Sequence, residues 1–175
     1  MQSLIPTPLH PAIVHLPIAL TVLLPLFAIG ALWTIRKGAR PIVAWGVTTA
    51  MFAVLTLSSW AAVETGQAQE ERVEDVVAEA PLESHEEAAE SFLLLSLGVL
   101  GVASIGLASG RVGSAARIAG TVGALVLVVA GYRVGHSGGQ LVYEHGAASA
   151  YTSGGAAQER VREVSSGQLP GDATR

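Results

Sequence analysis

Four long apolar runs alternate with short polar stretches along the chain. Each run is close to the roughly 20 residues that a helix needs to cross the hydrocarbon core of a bilayer. The runs occupy residues 12–35, 41–63, 91–109 and 114–132. Half of the 175 residues are apolar, only 14% are charged, and the mean hydropathy is +0.49. The pattern predicts an all-α protein, a four-helix transmembrane bundle, with residues 1–150 forming one domain.

The segment between the second and third runs is strongly acidic. Residues 64–90 carry ten carboxylates against one base, Arg72. Residues 67–80 are rich in helix-forming side chains, so the second helix is expected to continue beyond the membrane until Pro81 ends it. The capping-box pattern at 84–87 predicts a new helix start. These features predict a helical hairpin that projects from the membrane.

Basic residues determine the expected orientation. Short cytoplasmic loops of membrane proteins are enriched in lysine and arginine, and five of the ten basic residues of the chain lie in or beside the two short loops: Arg36, Lys37, Arg40, Arg111 and Arg117. Both termini and the acidic hairpin are then expected outside a bacterial cytoplasmic membrane. Trp33 and Trp45 are expected at the inner interface, and Trp60 and Tyr132 at the outer one. Residues 151–175 are rich in glycine, serine and glutamine, and are expected to form a mobile tail.

All five histidines fall on the predicted outer side of the membrane. His10 has an ordinary interpretation as part of a helix start, His85 as a solvated residue among glutamates, and His145 as an interfacial surface residue. His15 lies one turn inside an apolar run, where an ionisable side chain is costly and usually functional. His136 is followed by Ser137, Gly138 and Gly139, whose small side chains would allow a bulky ligand to approach.

Several neutral imidazoles at one end of a helical bundle predict a cofactor site. The chain contains no cysteine, which excludes thiolate ligands and covalently attached haem. A b-type haem is the preferred cofactor, with His15 and His136 as axial ligands and His85 and His10 as substitutes. Copper or zinc, held by His15, His136 and His85, is the alternative.

The absence of mid-membrane charges and of known catalytic motifs makes several classes of function less favoured. Apart from His15 and Arg117, near the two membrane faces, the apolar runs contain no ionisable residue, whereas ion and proton pathways normally need such groups at mid-membrane. The sequence has no Gly-x-Ser-x-Gly elbow, His-Glu-x-x-His motif or phosphate-binding loop. An electron carrier or subunit is therefore favoured over a transporter or a stand-alone enzyme.

Two distinctive motifs lie at the two ends of this region. The first overlaps the start of the first run, and the second follows the last run. Residues 9–20 read Leu-His-Pro-Ala-Ile-Val-His-Leu-Pro-Ile-Ala-Leu, and residues 135–146 read Gly-His-Ser-Gly-Gly-Gln-Leu-Val-Tyr-Glu-His-Gly. With them the chain resembles the bacterial membrane proteins catalogued as domain of unknown function 2231. Members occur fused to or beside Rieske-type and cytochrome-type domains, so the resemblance implies membrane-associated electron transfer. The family motifs correspond to His10, His15, Gly138, Gly139, Tyr143 and Gly146.

The expected function is therefore that of a membrane cytochrome-like subunit that binds haem b near the outer membrane face. The acidic hairpin would bind a basic extracytoplasmic redox partner, less strongly at high salt. The alternative is a non-catalytic subunit of a larger membrane complex with structural histidines. The lipid bilayer is the expected environment, a homo-oligomer is compatible with the sequence, and no nucleic-acid partner is expected.

Overall fold

The regular structure is entirely helical in the part of the chain that the computed structural model describes, residues 10–69, 73 and 77–150. Four helices are long and apolar enough to cross a membrane, which confirms the predicted fold class. A single short helix precedes them. The helices are α1 (His10–Ile13), α2 (His15–Arg36), α3 (Pro41–Gln67), α4 (Glu79–Ile105) and α5 (Gly110–Tyr143).

The four long helices form a closed ring in chain order. Helix α2 packs on α3, α3 on α4, α4 on α5, and α5 back on α2. The core contains large side chains from all four helices: Leu24, Phe52, Leu55, Val99 and Leu127. Many other large apolar side chains point outward, among them Leu26, Leu57, Leu94 and Val129. This outward apolar surface is what a bundle in lipid requires.

Val14 separates α1 from α2, and Pro17 in the first turn of α2 accounts for the interruption. The helical hydrogen bonding passes through Val14, whose N–H donates to the His10 carbonyl at 3.1 Å. Pro17 has no N–H to donate to the Ile13 carbonyl, and its ring clashes with that carbonyl in a regular helix. The interruption at Val14 follows from this conflict. It places His10 on a separate helical turn, and that turn packs against α3.

The connection between α3 and α4 differs from the sequence prediction. Helix α3 ends at Gln67 instead of continuing to residue 80. Pro81 ends no helix, because it lies in the first turn of α4, where the backbone N–H groups have no intrahelical partners. Ser84 is consequently an exposed residue inside α4, and not a helix cap. Residues 70–72 and 74–76 of the predicted hairpin lie outside the described residues.

Helices α4 and α5 are longer than their apolar runs. Helix α4 begins at Glu79, twelve residues before the predicted span, and α5 continues to Tyr143, eleven residues beyond it. At 1.5 Å per residue, the 34 residues of α5 measure about 51 Å, compared with about 30 Å of bilayer hydrocarbon. Both extensions lie at the end of the bundle that carries His10 and His85, called the histidine end below. The predicted tail, residues 151–175, lies outside the described residues.

The opposite end carries Arg36, Lys37, Arg40 and Arg111 and is called the basic end. The prediction that Trp45 is an interfacial residue is wrong, because its side chain is 0% exposed and its indole N–H donates to the Ala103 carbonyl oxygen at 2.8 Å. Beside it, the buried Arg117 guanidinium donates to the Gly106 carbonyl at 2.6 Å. A cation at the C-terminus of α4 satisfies carbonyls that the helix leaves free.

Candidate histidine site

The structure separates the five histidines into two groups. His10 and His85 are half-buried and contact neighbouring helices, whereas His15, His136 and His145 are exposed. The first two come from distant parts of the sequence, since His10 forms the start of α1 and His85 lies in the extension of α4. We call them the histidine pair.

His10 is held against the end of α3. Its Nδ1–H donates to the Ala62 carbonyl oxygen at 2.8 Å, and the Thr65 hydroxyl lies 3.4 Å from the same nitrogen. A Cβ atom at Gly66 would lie 3.3 Å from His10 Cε1. The ring therefore rests on backbone that only glycine exposes so closely. Carbonyls near a helix C-terminus carry the negative end of the helix dipole, which favours this N–H donor.

His85 is held in the same way against α5. Its Nδ1 lies 2.9 Å from the Ser137 hydroxyl oxygen, and that hydroxyl donates to the Val134 carbonyl at 3.1 Å. Because the Ser137 proton is directed at Val134, the hydroxyl oxygen accepts from His85 Nδ1–H. A Cβ atom at Gly138 would lie 3.0 Å from His85 Cε1, so a glycine again makes room for the ring.

These hydrogen bonds imply the same tautomer for both rings. With the proton on Nδ1, each neutral imidazole keeps an unprotonated Nε2 with its lone pair. The hydrogen bonds of both rings run through Nδ1 to a neighbouring helix, and His85 also has a hydrogen bond to the Val134 backbone. Histidines that bind metals typically show this arrangement, in which the second nitrogen donates to a carbonyl or another acceptor that orients the ring.

Both rings of the pair lie at the histidine end of the bundle. Helix α1 packs against α3, and α3 packs against α4, so the turn with His10 is one helix away from His85. The topology thereby brings together two imidazoles that are 75 positions apart in the sequence.

The histidines that the sequence favoured as axial ligands occupy exposed faces. His15 begins α2 with its side chain exposed. His136 is exposed on α5, and its ring stacks on Tyr132 one turn earlier, with centroids 5.8 Å apart and planes at 6°. His145 follows the end of α5 and is exposed as well. The structure does not bring these three together with the histidine pair in a shared contact.

The glycines of the second sequence motif have different surroundings. Gly138 contacts the His85 ring, whereas a Cβ atom at Gly139 would meet nothing within 4 Å. Gly146 has φ of +72° and follows the C-terminus of α5. Such a left-handed residue commonly ends a helix, and it turns the chain so that Ala147 packs on Leu141. Tyr143 is 89% exposed.

Sequence reasoning missed the residues that orient the pair. Ala62 and Thr65 have no chemical signature that distinguishes them from other small residues of the second span. Ser137 had a weak signal, since it lies between His136 and Gly138 in the motif. No group of three or more histidine, cysteine, aspartate or glutamate side chains arranged to hold a metal ion occurs among the described residues.

Comparison with known proteins identifies a family but no individual protein. The family model described as "Predicted membrane protein (DUF2231)" matches residues 6–150, which include both motifs and all four long helices. No curated protein and no solved structure matches the chain.

Proposed function

The chain belongs to the DUF2231 family of predicted membrane proteins, and we propose that it is a membrane electron-transfer subunit that binds b-type haem through His10 and His85. The single observation that carries the proposal is the histidine pair. Each of these half-buried imidazoles has Nδ1–H held by an acceptor on an adjacent helix, so Nε2 is the nitrogen that would bind the iron. The proposed site lies at the histidine end, beside the extensions of α4 and α5.

Two imidazole nitrogens are suitable protein ligands for haem iron. The macrocycle supplies four of the iron ligands, so one or two imidazoles from the protein complete the coordination. Bound haem supplies one-electron chemistry, while the protein orients the ligands and sets the surrounding charge. Arg133 is exposed on α5 one turn before Ser137, and its guanidinium is suited to pairing with a haem propionate.

His10 and His85 replace His15 and His136 as the preferred ligands in this proposal. Exposed ligands on outer helix faces would leave the macrocycle in lipid or water, whereas half-buried ligands place it against neighbouring helices, as haem sites in bundles require. Their hydrogen bonds also fix the ring orientation before the cofactor arrives, which lowers the cost of binding.

A copper or zinc ion at the same pair is the second candidate. Imidazole suits both metals. Zinc usually takes four ligands from protein and water. Two histidines alone would therefore hold it less completely than they would hold haem iron.

The proposed orientation places the histidine end outside the cell and the basic end in the cytoplasm, in a bacterial cytoplasmic membrane. The support is the charge distribution. Arg36, Lys37, Arg40 and Arg111 lie at the basic end, and the described carboxylates of α3 and α4, among them Glu64, Glu79, Glu83 and Glu87, lie at the opposite end. Lysine and arginine in short loops favour the cytoplasmic side.

The direct test is a reduced-minus-oxidised absorption spectrum of the detergent-purified full chain, expressed with haem supplied, with metal analysis of the same sample. We expect a sharp α-band at the position of six-coordinate b-type haem, and about one iron per chain. A flat spectrum with copper or zinc bound would replace haem by an ion site. A colourless, metal-free and folded protein would contradict both cofactor proposals and favour a non-catalytic subunit of a larger complex.

The same proposal assigns a docking role to the acidic side chains of α4. Glu79, Glu83, Glu87 and Glu90 are exposed at the histidine end, and they favour a basic redox partner. With a soluble basic cytochrome as the probe, we expect the electron-transfer rate to fall about tenfold or more as ionic strength rises from roughly 0.01 M to 0.15 M. A rate that is independent of salt would exclude this docking surface.

A further inference from the structure

An apolar groove runs between α2 and α3 towards the basic end. It is open to the surroundings of the bundle and has a volume of about 430 Å³. A Cβ atom at Gly30 would meet nothing within 4 Å, so this glycine leaves the groove open. The lining consists of Leu26, Phe27, Gly30, Ala31, Trp33, Thr34, Ala44, Val47 and Thr48.

Three cations lie in the turn that joins the two helices of the groove. Arg36 ends α2, Lys37 follows it, and Arg40 precedes α3, and all three side chains are exposed. Lys37 Nζ lies 6.0 Å from the centre of the Trp33 ring, and Trp33 also lines the groove. The apolar groove and the basic turn are therefore parts of one continuous surface.

No carboxylate opposes these cations in the first half of the fold. The first acidic residue of the chain is Glu64, near the far end of α3. An uncompensated positive cluster beside an apolar groove is complementary to a molecule with an anionic head and a hydrocarbon tail. Basic pockets between transmembrane helices bind anionic lipid head groups for this reason.

We propose that the groove binds one anionic phospholipid, with an acyl chain between α2 and α3 and the phosphate beside Arg36, Lys37 and Arg40. The indole of Trp33 lies at the boundary between the two parts, the position that amphipathic rings favour at a membrane surface. This site is independent of haem binding, since it lies at the end of the bundle opposite the histidine pair.

Lysine and arginine in short loops also set the orientation of a membrane protein. That role alone does not explain why a groove lies beside them. Arg111 is also exposed at the basic end, in the first turn of α5. It contributes to the same positive charge, but it belongs to α5, whereas the groove is lined by α2 and α3 and the basic turn joins those two helices. Arg111 is therefore the matched control, because a general attraction of cations for anionic lipid would involve it as much as the residues of the basic turn.

Native mass spectrometry of the full chain, released from micelles with added phosphatidylglycerol or phosphatidylcholine of the same acyl chains, tests the proposal. We expect one retained phosphatidylglycerol per chain, with a preference of about tenfold or more over phosphatidylcholine. The triple variant R36Q/K37Q/R40Q should lose that preference. R111Q should keep it.

A second variant tests the acyl-chain part of the site. Gly30→Leu fills the open groove without changing charge, and it should reduce retention of both lipids while leaving the protein monodisperse on gel filtration. Equal retention of both lipids by the native chain would overturn the proposal. So would equal losses in R111Q and the triple variant, or a dimer of the chain that G30L dissociates, which would assign the groove to a second copy.

Discussion

Replacing either member of the histidine pair by alanine is expected to abolish the sharp α-band of six-coordinate haem. In His10→Ala or His85→Ala, one of the two imidazoles that would hold the iron is removed, so haem would be bound with an altered spectrum or not retained. His15→Ala and His136→Ala should keep the band, because both side chains are exposed. The measurement is the reduced-minus-oxidised spectrum of the four purified variants at equal protein concentration.

A ligand role must be distinguished from a structural one, because His10 and His85 also contact neighbouring helices. His85→Met provides this control, since methionine sulfur is an accepted axial ligand of haem and raises its reduction potential. We expect this variant to retain haem with an altered spectrum and a higher potential. Loss of the band in H15A or H136A, with H10A and H85A unaffected, would restore the exposed histidines as ligands.

A substitution at Ser137 tests whether this residue positions the His85 ring. Its hydroxyl oxygen accepts from His85 Nδ1–H, so Ser137→Ala removes the group that orients the ring without touching Nε2. Changes of this kind typically weaken metal affinity by about 10- to 100-fold. A titration of the apoprotein with haem should show weaker binding at an unchanged stoichiometry. An unchanged affinity would mean that Ser137 does not orient an axial ligand.

The number and order of the membrane helices could be predicted because bilayer thickness imposes a length on every span. Hydropathy cannot indicate where a helix ends once it leaves the hydrocarbon, because its residues are then polar whether they are helical or not. The capping-box pattern predicts a helix start at Ser84, whereas α4 begins five residues earlier, at Glu79. Pro81 was interpreted as a helix end, although proline is also well tolerated in a first helical turn.

The candidate site could be predicted only in part. The sequence predicts that the histidines lie at one end of the bundle, because all of them fall near the same ends of the four spans. Which of them face inward depends on the rotation of each helix, and one residue along a helix changes the direction of a side chain by about 100°. His15 begins a regular helix and is exposed, whereas the turn before it carries His10 to the end of α3. The sequence contains no local signal of that pairing.

Trp45 shows the same difficulty at the basic end. Tryptophan near a membrane face is usually interfacial, and Trp33 and Trp60 are indeed 61% and 54% exposed. Trp45 lies four positions after the start of α3, yet it is fully buried between α4 and α5. The glycines at 106 and 120 make the space for its ring, and they lie too far away in the sequence to identify it.

The largest loss of stability is expected from Trp45→Ala. Removing a buried tryptophan typically costs about 3–5 kcal/mol, and the Ala103 carbonyl also loses the indole donor that now lies 2.8 Å away. Trp33→Ala, at the same end but exposed, is the matched control and should change the free energy of unfolding by less than about 1 kcal/mol. Unfolding in mixed micelles with increasing denaturing detergent measures both. Similar losses in the two variants would contradict the buried role of Trp45.

A double-mutant cycle with Gly106 tests the contact itself. A methyl group at Gly106 would overlap the Trp45 indole nitrogen and press against the Ala103 carbonyl oxygen, so Gly106→Ala alone should cost about 1–3 kcal/mol. Gly101→Ala on the same helix meets nothing within 4 Å and serves as the control. In the Trp45→Ala background the indole is gone, and Gly106→Ala should cost clearly less. Additive losses would mean that the two residues do not share this contact, because only groups that interact couple in such a cycle.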